Sequence, residues 1–421
     1  MFTHQQSEKK TLFLCSLGGA FEFYDFSLFA IMSPIISQHF FDSSDPTLAL
    51  IKSYGVLATG YFARFLGGFY FSHLGDTAGR KKPFMWTLFL MAIPTLSIAF
   101  LPTYQQIGIM APLFLILFRI IQGFALGGEA PCAMTYIHEY ASPKKKSFSM
   151  SILFGGILLG SFFASLVNSS LTSILSKNDY ENWGWRVPFA LGGFLGLIGL
   201  YLRKNLQESI DFIKCKNENK LSKVPFFSLL KSNYKNVFLG IAILLPSATA
   251  FLYFLILSSA NLQKNYNFIK QDVQEIVSLG LLVNAISCVL IGYLADKINP
   301  KKIYITGLFC LFILTIISSF IFSTQNFLYL SIYIFILAIV LGSCVGTVFH
   351  LLANLFSTHT RTSGIALCMN TTNGLFIGLT PIVFTEILTK TSFKLFPNYY
   401  ICFLCFIGLI SIRIISKRKF Q

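Results

Sequence analysis

"GGAFEFYDFSLFA", residues Gly18 to Ala30, places Glu22 and Asp25 inside an otherwise apolar run. The run extends from about Leu12 to Ile36, which at ~1.5 Å per residue is enough to cross a hydrocarbon core of ~30 Å. A carboxylate at the middle of a membrane helix costs roughly 2.5–3.5 kcal/mol even on a lenient insertion scale. Two acids in one such helix therefore require partners elsewhere in the chain.

The rest of the sequence repeats the character of that run. Of 421 residues, 54% are hydrophobic, 16% aromatic and 12% charged, with a mean hydropathy of +0.66. A soluble chain carries roughly 25% charged residues, so a soluble fold with one buried core is excluded. The apolar runs last about 20 residues and lack the alternation of a membrane strand, which predicts helices. Twelve spans are expected, near 12–36, 51–73, 83–101, 109–137, 148–173, 187–202, 237–259, 275–295, 303–322, 328–353, 363–388 and 398–416. The expected fold class is an all-α polytopic membrane protein with twelve transmembrane helices.

A net charge of +16 would also suit a nucleic-acid partner, but its distribution argues otherwise. With the N-terminus inside, 24 of the 33 Lys and Arg fall on cytoplasmic segments, six on outer ones, and Lys52, Arg64 and Arg119 within spans. That asymmetry is the positive-inside rule, so both termini are expected in the cytoplasm and no nucleic-acid partner is needed. Lys9 and Lys10 precede an apolar stretch too long for a signal core, so no cleavable leader is expected. Cys402 and Cys405 form a CxxC in the last span with no other soft ligand nearby in sequence, and they read as small packing residues. No metal or other cofactor is expected, and the absence of a P-loop argues against direct ATP hydrolysis.

The most polar stretch between spans begins at Arg203 ("RKNLQESIDFIKCKNENKLSK") and separates six spans from six. Residues 1–202 and 237–421 are thus read as two six-helix bundles joined by a cytoplasmic loop, 203–236. Six spans return the chain to its starting side, so the bundles share one orientation, as parallel repeats do. "SHLGDTAGRKK" (Ser72–Lys82) and "GYLADKINPKK" (Gly292–Lys302) stand at equivalent points of the two halves. Each joins a helix-ending acid to a basic cluster, and Asp76, Arg80 and Asp296 are read as a gating latch in which acids meet basic side chains or a helix N-terminus.

These features resemble the major facilitator superfamily. "RIIQGFALGGEA" (Arg119–Ala130) is similar to its fourth-helix motif. Within the superfamily, "FEFYDF" (Phe21–Phe26), "RIIQGFALGGEAPCAMTYIHEYASPKKK", "WGWRVPFALGG" (Trp183–Gly193) and "TRTSGIALCMN" (Thr360–Asn370) resemble the metabolite:proton symporters. That family includes proline/betaine, 2-oxoglutarate, citrate and shikimate transporters. The chain departs from the usual pattern at Ser72, at Phe65, at Asn354 and at Asn299-Pro300. It also stops soon after the twelfth span, without the coiled-coil tail of some proline/betaine members.

Depth along the helices brings the buried charges together. Counting ~1.5 Å per residue puts Glu22 ~15 Å deep, Asp25 ~20 Å, and Arg119 and Arg64 at similar levels. Two acids can thus meet two guanidinium groups near the midplane. One acid is expected to stay ionised beside an arginine, while its desolvated neighbour, assigned to Glu22, takes and releases a proton. Gln122 and Glu129 share the fourth span; Glu129 is read either as a second proton station or as a partner of the latch. Gly123 and Gly127, four apart, permit close helix packing. In the second half the cavity candidates are Tyr253, Asn284, His350, Asn370, Thr371, Thr372 and Asn373, with "MNTTNG" expected to line the cavity and His350 read as a hydrogen-bonded spacer.

The resulting expectation is not an enzyme but a monomeric secondary transporter of the bacterial inner membrane. It takes up a small polar metabolite together with a proton. Two arginines facing Glu22, Asp25 and Glu129 leave little free positive charge, which favours a zwitterion such as proline or glycine betaine over a di- or tricarboxylate. Drug/proton antiport lacks its helix-5 proline motif here, and a receptor or channel lacks a soluble ligand domain or pore loop.

Overall fold

The computed structural model describes residues 2–41, 45–78, 81–203, 233–356, 361–391 and 393–417, and every predicted span is helical among them. In chain order the helices are α1 (Phe2–Phe40), α2 (Pro46–Ala78), α3 (Lys81–Phe100), α4 (Met110–Tyr140), α5 (Lys146–Ile174) and α6 (Arg186–Arg203). Then follow α7 (Tyr234–Phe251, continued by a π-helical turn Leu252–Ile256 and by Ser258–Tyr266), α8 (Lys270–Lys297), α9 (Pro300–Ser323) and α10 (Phe327–Ala353). The last two are α11 (Arg361–Thr371, continued by π-helical Thr372–Ile377 and by Thr380–Lys390) and α12 (Phe396–Lys417). Nine of these are long and apolar enough among the described residues to cross a bilayer, and α3 and α6 are shorter apolar helices. The Asp76 side chain and Arg80, two of the three residues of the expected latch, lie outside the described residues.

The outer surface is apolar where a soluble protein would be charged. On α9, Phe309, Ile313, Ile316, Ile317 and Phe320 are all exposed, and their spacing puts them on one helix face. Such a stripe suits contact with lipid tails.

Small residues decide which helices touch. A Cβ added to Gly67 would lie 1.7 Å from the Phe124 carbonyl oxygen, one on Gly123 1.8 Å from that of Gly60, and one on Gly127 2.1 Å from that of Arg64. The α2 and α4 backbones are therefore in direct contact, as the Gly123/Gly127 spacing led us to expect, and Arg64 is held against α4. Gly160 plays the same part between α5 and α1, where an added Cβ would meet the Ala20 carbonyl at 2.0 Å. Between the two halves, α5 packs along α8, with the Ser165 and Ser278 hydroxyls 2.6 Å apart. The Asn299-Pro300 departure is a helix start: the Asn299 side chain accepts from the Lys301 N–H at 2.9 Å and Pro300 occupies the first turn of α9. On α12, Cys405 is buried, Cys402 is partly exposed, and both are free thiols.

Candidate functional site

Glu22 and Asp25 look in different directions. Three residues along a helix correspond to roughly 60° of rotation, enough to give each acid its own neighbours. Glu22, 1% exposed, accepts from Arg64 Nη2 at 3.0 Å. The Asp25 carboxylate accepts from Arg119 Nη1 at 2.7 Å, from the Thr95 hydroxyl at 2.7 Å and from Gln122 Nε2 at 3.0 Å. Arg119 also lies over the Phe29 ring, 3.8 Å from its centroid, a cation–π contact. The expected cluster of four is thus two separate ion pairs. As expected, two acids meet two guanidinium groups, and each acid has its own.

Of the two pairs, Glu22–Arg64 is the one in the wall of the central cavity among the described residues. A cavity of ≈ 100 Å³ lies between the helices of the first half and those of the second, and Glu22 and Arg64 are the charged residues among its described lining. Asp25, Arg119, Gln122 and Glu129 do not line it; all four are buried. The wall is largely apolar, with six aromatic rings (Phe23, Phe26, Tyr61, Phe154, Phe251 and Phe349) among aliphatic side chains, and it carries hydroxyl and amide groups at Ser247, Thr372 and Asn373. Thr372 is 2% exposed, and its hydroxyl has no hydrogen-bond partner among the described residues. Thr372 and Asn373 belong to the π-helical stretch of α11, and Leu252 of the lining opens the π-helical turn of α7. Such turns recur at functional sites because they re-aim side chains out of helical register. Helical periodicity gives no warning of them.

Other sequence candidates fall elsewhere. Asn370 is in "MNTTNG" but not in the cavity wall: its Oδ1 accepts from Arg64 Nε at 3.2 Å, and its Nδ2 donates to the Gly127 carbonyl at 3.0 Å. Asn284 donates to the Ala338 carbonyl at 2.9 Å and ties α8 to α10. Tyr253 accepts from Asn261 at 3.0 Å and lines a smaller, separate cavity. Thr95 is a partner of Asp25 that sequence reasoning missed, since a lone threonine in an apolar span carries no signal.

From the cavity wall toward the ends that carry the basic repeats, further contacts join the halves among the described residues. The Phe154 and Phe349 rings stack with centroids 3.4 Å apart. His138 and His350 face each other at 6.1 Å, and the expected hydrogen bond of His350 goes to Asn354 at 2.9 Å. The Asp296 carboxylate accepts from the Ser147 and Phe148 N–H groups, each at 2.9 Å. An acid on the first turn of α5 meets the positive end of the helix dipole.

Long apolar helices packed around a central cavity, with a buried acid–arginine pair in its wall, define a polytopic membrane transporter. The chain belongs to the Major Facilitator Superfamily, whose sequence profile matches residues 15–381. It is 34% identical to the "Putative proline/betaine transporter" of Staphylococcus haemolyticus, over 97% of this chain and 88% of that one. It is 28% identical to the proline/betaine transporter of Salmonella typhimurium, over 96% and 82%. Among solved structures, the proton:xylose symporter XylE bound to 6-bromo-6-deoxy-D-glucose superposes with a TM-score of 0.78 at 14% identity, covering 98% of this chain and 96% of that one. The fold and the relatives are those of transporters, not of enzymes.

Proposed function

We propose that the protein is a proton-coupled symporter of the bacterial inner membrane that takes up a zwitterion of the proline or glycine betaine class. The observation that carries this reading is the charge of the cavity wall: among its described lining, one carboxylate and one guanidinium, already paired, beside six aromatic rings. A zwitterion adds no net charge to the wall, and its carboxylate can take the place of Glu22 at Arg64 once Glu22 is protonated. Its carboxylate would be gripped by Arg64, and its ammonium would rest on the aromatic faces, which bind quaternary nitrogen by cation–π attraction. A tricarboxylate would need cationic groups that this wall lacks among its described residues. The names of the relatives support the same substrate class.

Glu22 is the proton carrier in this scheme and Arg64 its charge partner, while Asp25, Arg119, Gln122 and Thr95 form a brace between α1, α3 and α4. Residues 1–202 and 237–421 act as the two moving bundles and 203–236 as their cytoplasmic link, with both termini on the cytoplasmic side. Asp296 of α8, seated on the N-terminus of α5, latches the cytoplasmic face.

The test is uptake into proteoliposomes of labelled proline, glycine betaine, 2-oxoglutarate, citrate and shikimate, with and without an imposed pH gradient. Gradient-driven accumulation of the first two is expected, with Glu22→Gln retaining exchange but losing accumulation. Uptake of the carboxylates alone, or accumulation indifferent to the gradient, overturns the proposal.

A further inference from the structure

The hydrogen bonds of Arg64 run in two directions. Its Nη2 goes to Glu22 in its own half at 3.0 Å, while its Nε goes to Asn370 at 3.2 Å, on α11 of the other half. The Asn370 amide then returns to the first half, donating to the Gly127 carbonyl at 3.0 Å. Asn370 is 3% exposed and wedged at the bare backbone of α2, where a Cβ on Gly68 would stand 2.2 Å from its Nδ2. One side chain of the second half therefore grips α2 and α4 together, and one of its two bonds is made by the guanidinium that neutralises Glu22.

We propose that Asn370 is the positioning residue through which the charge state of Glu22 is felt at the contact between the two halves. The inference rests on Glu22 being the proton carrier. While Glu22 is ionised, it fixes the Arg64 fork so that Nε points at Asn370, and the clamp is closed. When Glu22 is protonated, the guanidinium loses its counter-charge and turns toward the one a substrate carboxylate brings into the cavity. Turning withdraws Nε from Asn370, and the contact between the halves loses its charge-assisted bond. Proton and substrate together then release the clamp. A proton alone leaves Arg64 no better acceptor than Asn370, so an empty protonated carrier stays shut. The ionised, empty carrier regains the clamp, which favours its return.

Hydrogen–deuterium exchange of the full-length protein in lipid nanodiscs tests this at one fixed pD, with glycine betaine present. The amides read are those of Ser147 and Phe148 on α5 and of the first turn of α11. Glu22→Gln mimics the protonated acid and is expected to speed their exchange about tenfold, the scale of one charge-assisted hydrogen bond. Asn370→Ala is expected to do the same, and the double variant to exchange no faster than Asn370→Ala alone. Protection of α9 and α12 reports folding. If Asn370→Ala loses it, Asn370→Asp decides: it pairs with Arg64 whatever the state of Glu22, so adding Glu22→Gln should change exchange less than twofold. Additive effects of the two single variants, or no effect of Asn370→Ala, overturn the role of Asn370. The proton site is judged separately by substrate-driven proton uptake in Glu22→Gln liposomes: persistence of that uptake removes Glu22 as carrier, and with it the clamp's trigger. Uptake lost while exchange is unchanged keeps the carrier and removes the clamp.

Discussion

Neutralising Asp25 separates the brace from the working pair. In the Asp25→Asn variant Arg119 keeps its charge, is 4% exposed, and loses the carboxylate that receives its Nη1 at 2.7 Å. Its Nε and Nη2 have no hydrogen-bond partner among the described residues, so nothing nearby replaces the lost acid. Breaking a buried pair from one side costs about 3–5 kcal/mol, because an uncompensated charge remains. Removing both charges, as Asp25→Asn with Arg119→Met, leaves the Gln122–Thr95 hydrogen bond at 2.7 Å and keeps an apolar stem on Phe29. Arg119→Met alone should cost about the same 3–5 kcal/mol, and the double variant should lie within about 1–2 kcal/mol of the parent, giving a coupling of about 4–9 kcal/mol. Thermal unfolding in detergent micelles measures the cycle, and proline or betaine uptake is read in parallel. Stability and uptake should return together. The matching cycle at the cavity, Glu22→Gln with Arg64→Met, should restore stability without restoring uptake. A coupling at Asp25–Arg119 below about 0.5 kcal/mol, or a stable double variant with no uptake, would refute the division between brace and working pair.

Three further outcomes follow from other contacts. Asp296→Asn keeps its shape but loses the charge at the α5 N-terminus; a loss of about 0.3–1 kcal/mol should raise the inward-facing population severalfold, read as faster efflux from loaded vesicles. Gly127→Ala places a methyl 2.1 Å from the Arg64 carbonyl and 2.2 Å from the Gly68 nitrogen, forcing α2 from α4; overpacking of about 1–3 kcal/mol should appear as a lowered unfolding midpoint. Thr372→Val removes a cavity-wall hydroxyl that has no hydrogen-bond partner among the described residues, and the loss of one neutral bond to substrate, about 0.5–1.5 kcal/mol, should raise KM roughly two- to tenfold with little change in stability.

Much of the site could be read in the sequence, for a reason peculiar to membranes. Lipid penalises every buried charge, so Glu22, Asp25, Arg64 and Arg119 stand out in apolar runs, and the fixed rise of a helix converts their positions into depths. Depth does not distinguish partners. All four lie near one level, and helix rotation alone decides that Glu22 takes Arg64 while Asp25 takes Arg119. The polar residues of the second half were harder to place. Asn284, Asn370 and Asn373 look alike in sequence; the first joins two helices, the second grips the opposite half, and the third lines the cavity.

"GGAFEFYDFSLFA" by itself determined that the first helix crosses a bilayer with two acids that must be compensated, because hydrocarbon offers neither water nor counter-ions. Together with the apolar runs and the basic clusters between them, it also determined the membrane class of the chain, since such requirements are local and need no knowledge of neighbours. Only the tertiary structure decided which acid faces the cavity, which is locked in the brace, and that Asn370 reaches Arg64 from the other half. These depend on helix rotation and on approach across bare glycine backbone, and both are set by contacts between residues as far apart as 306 positions.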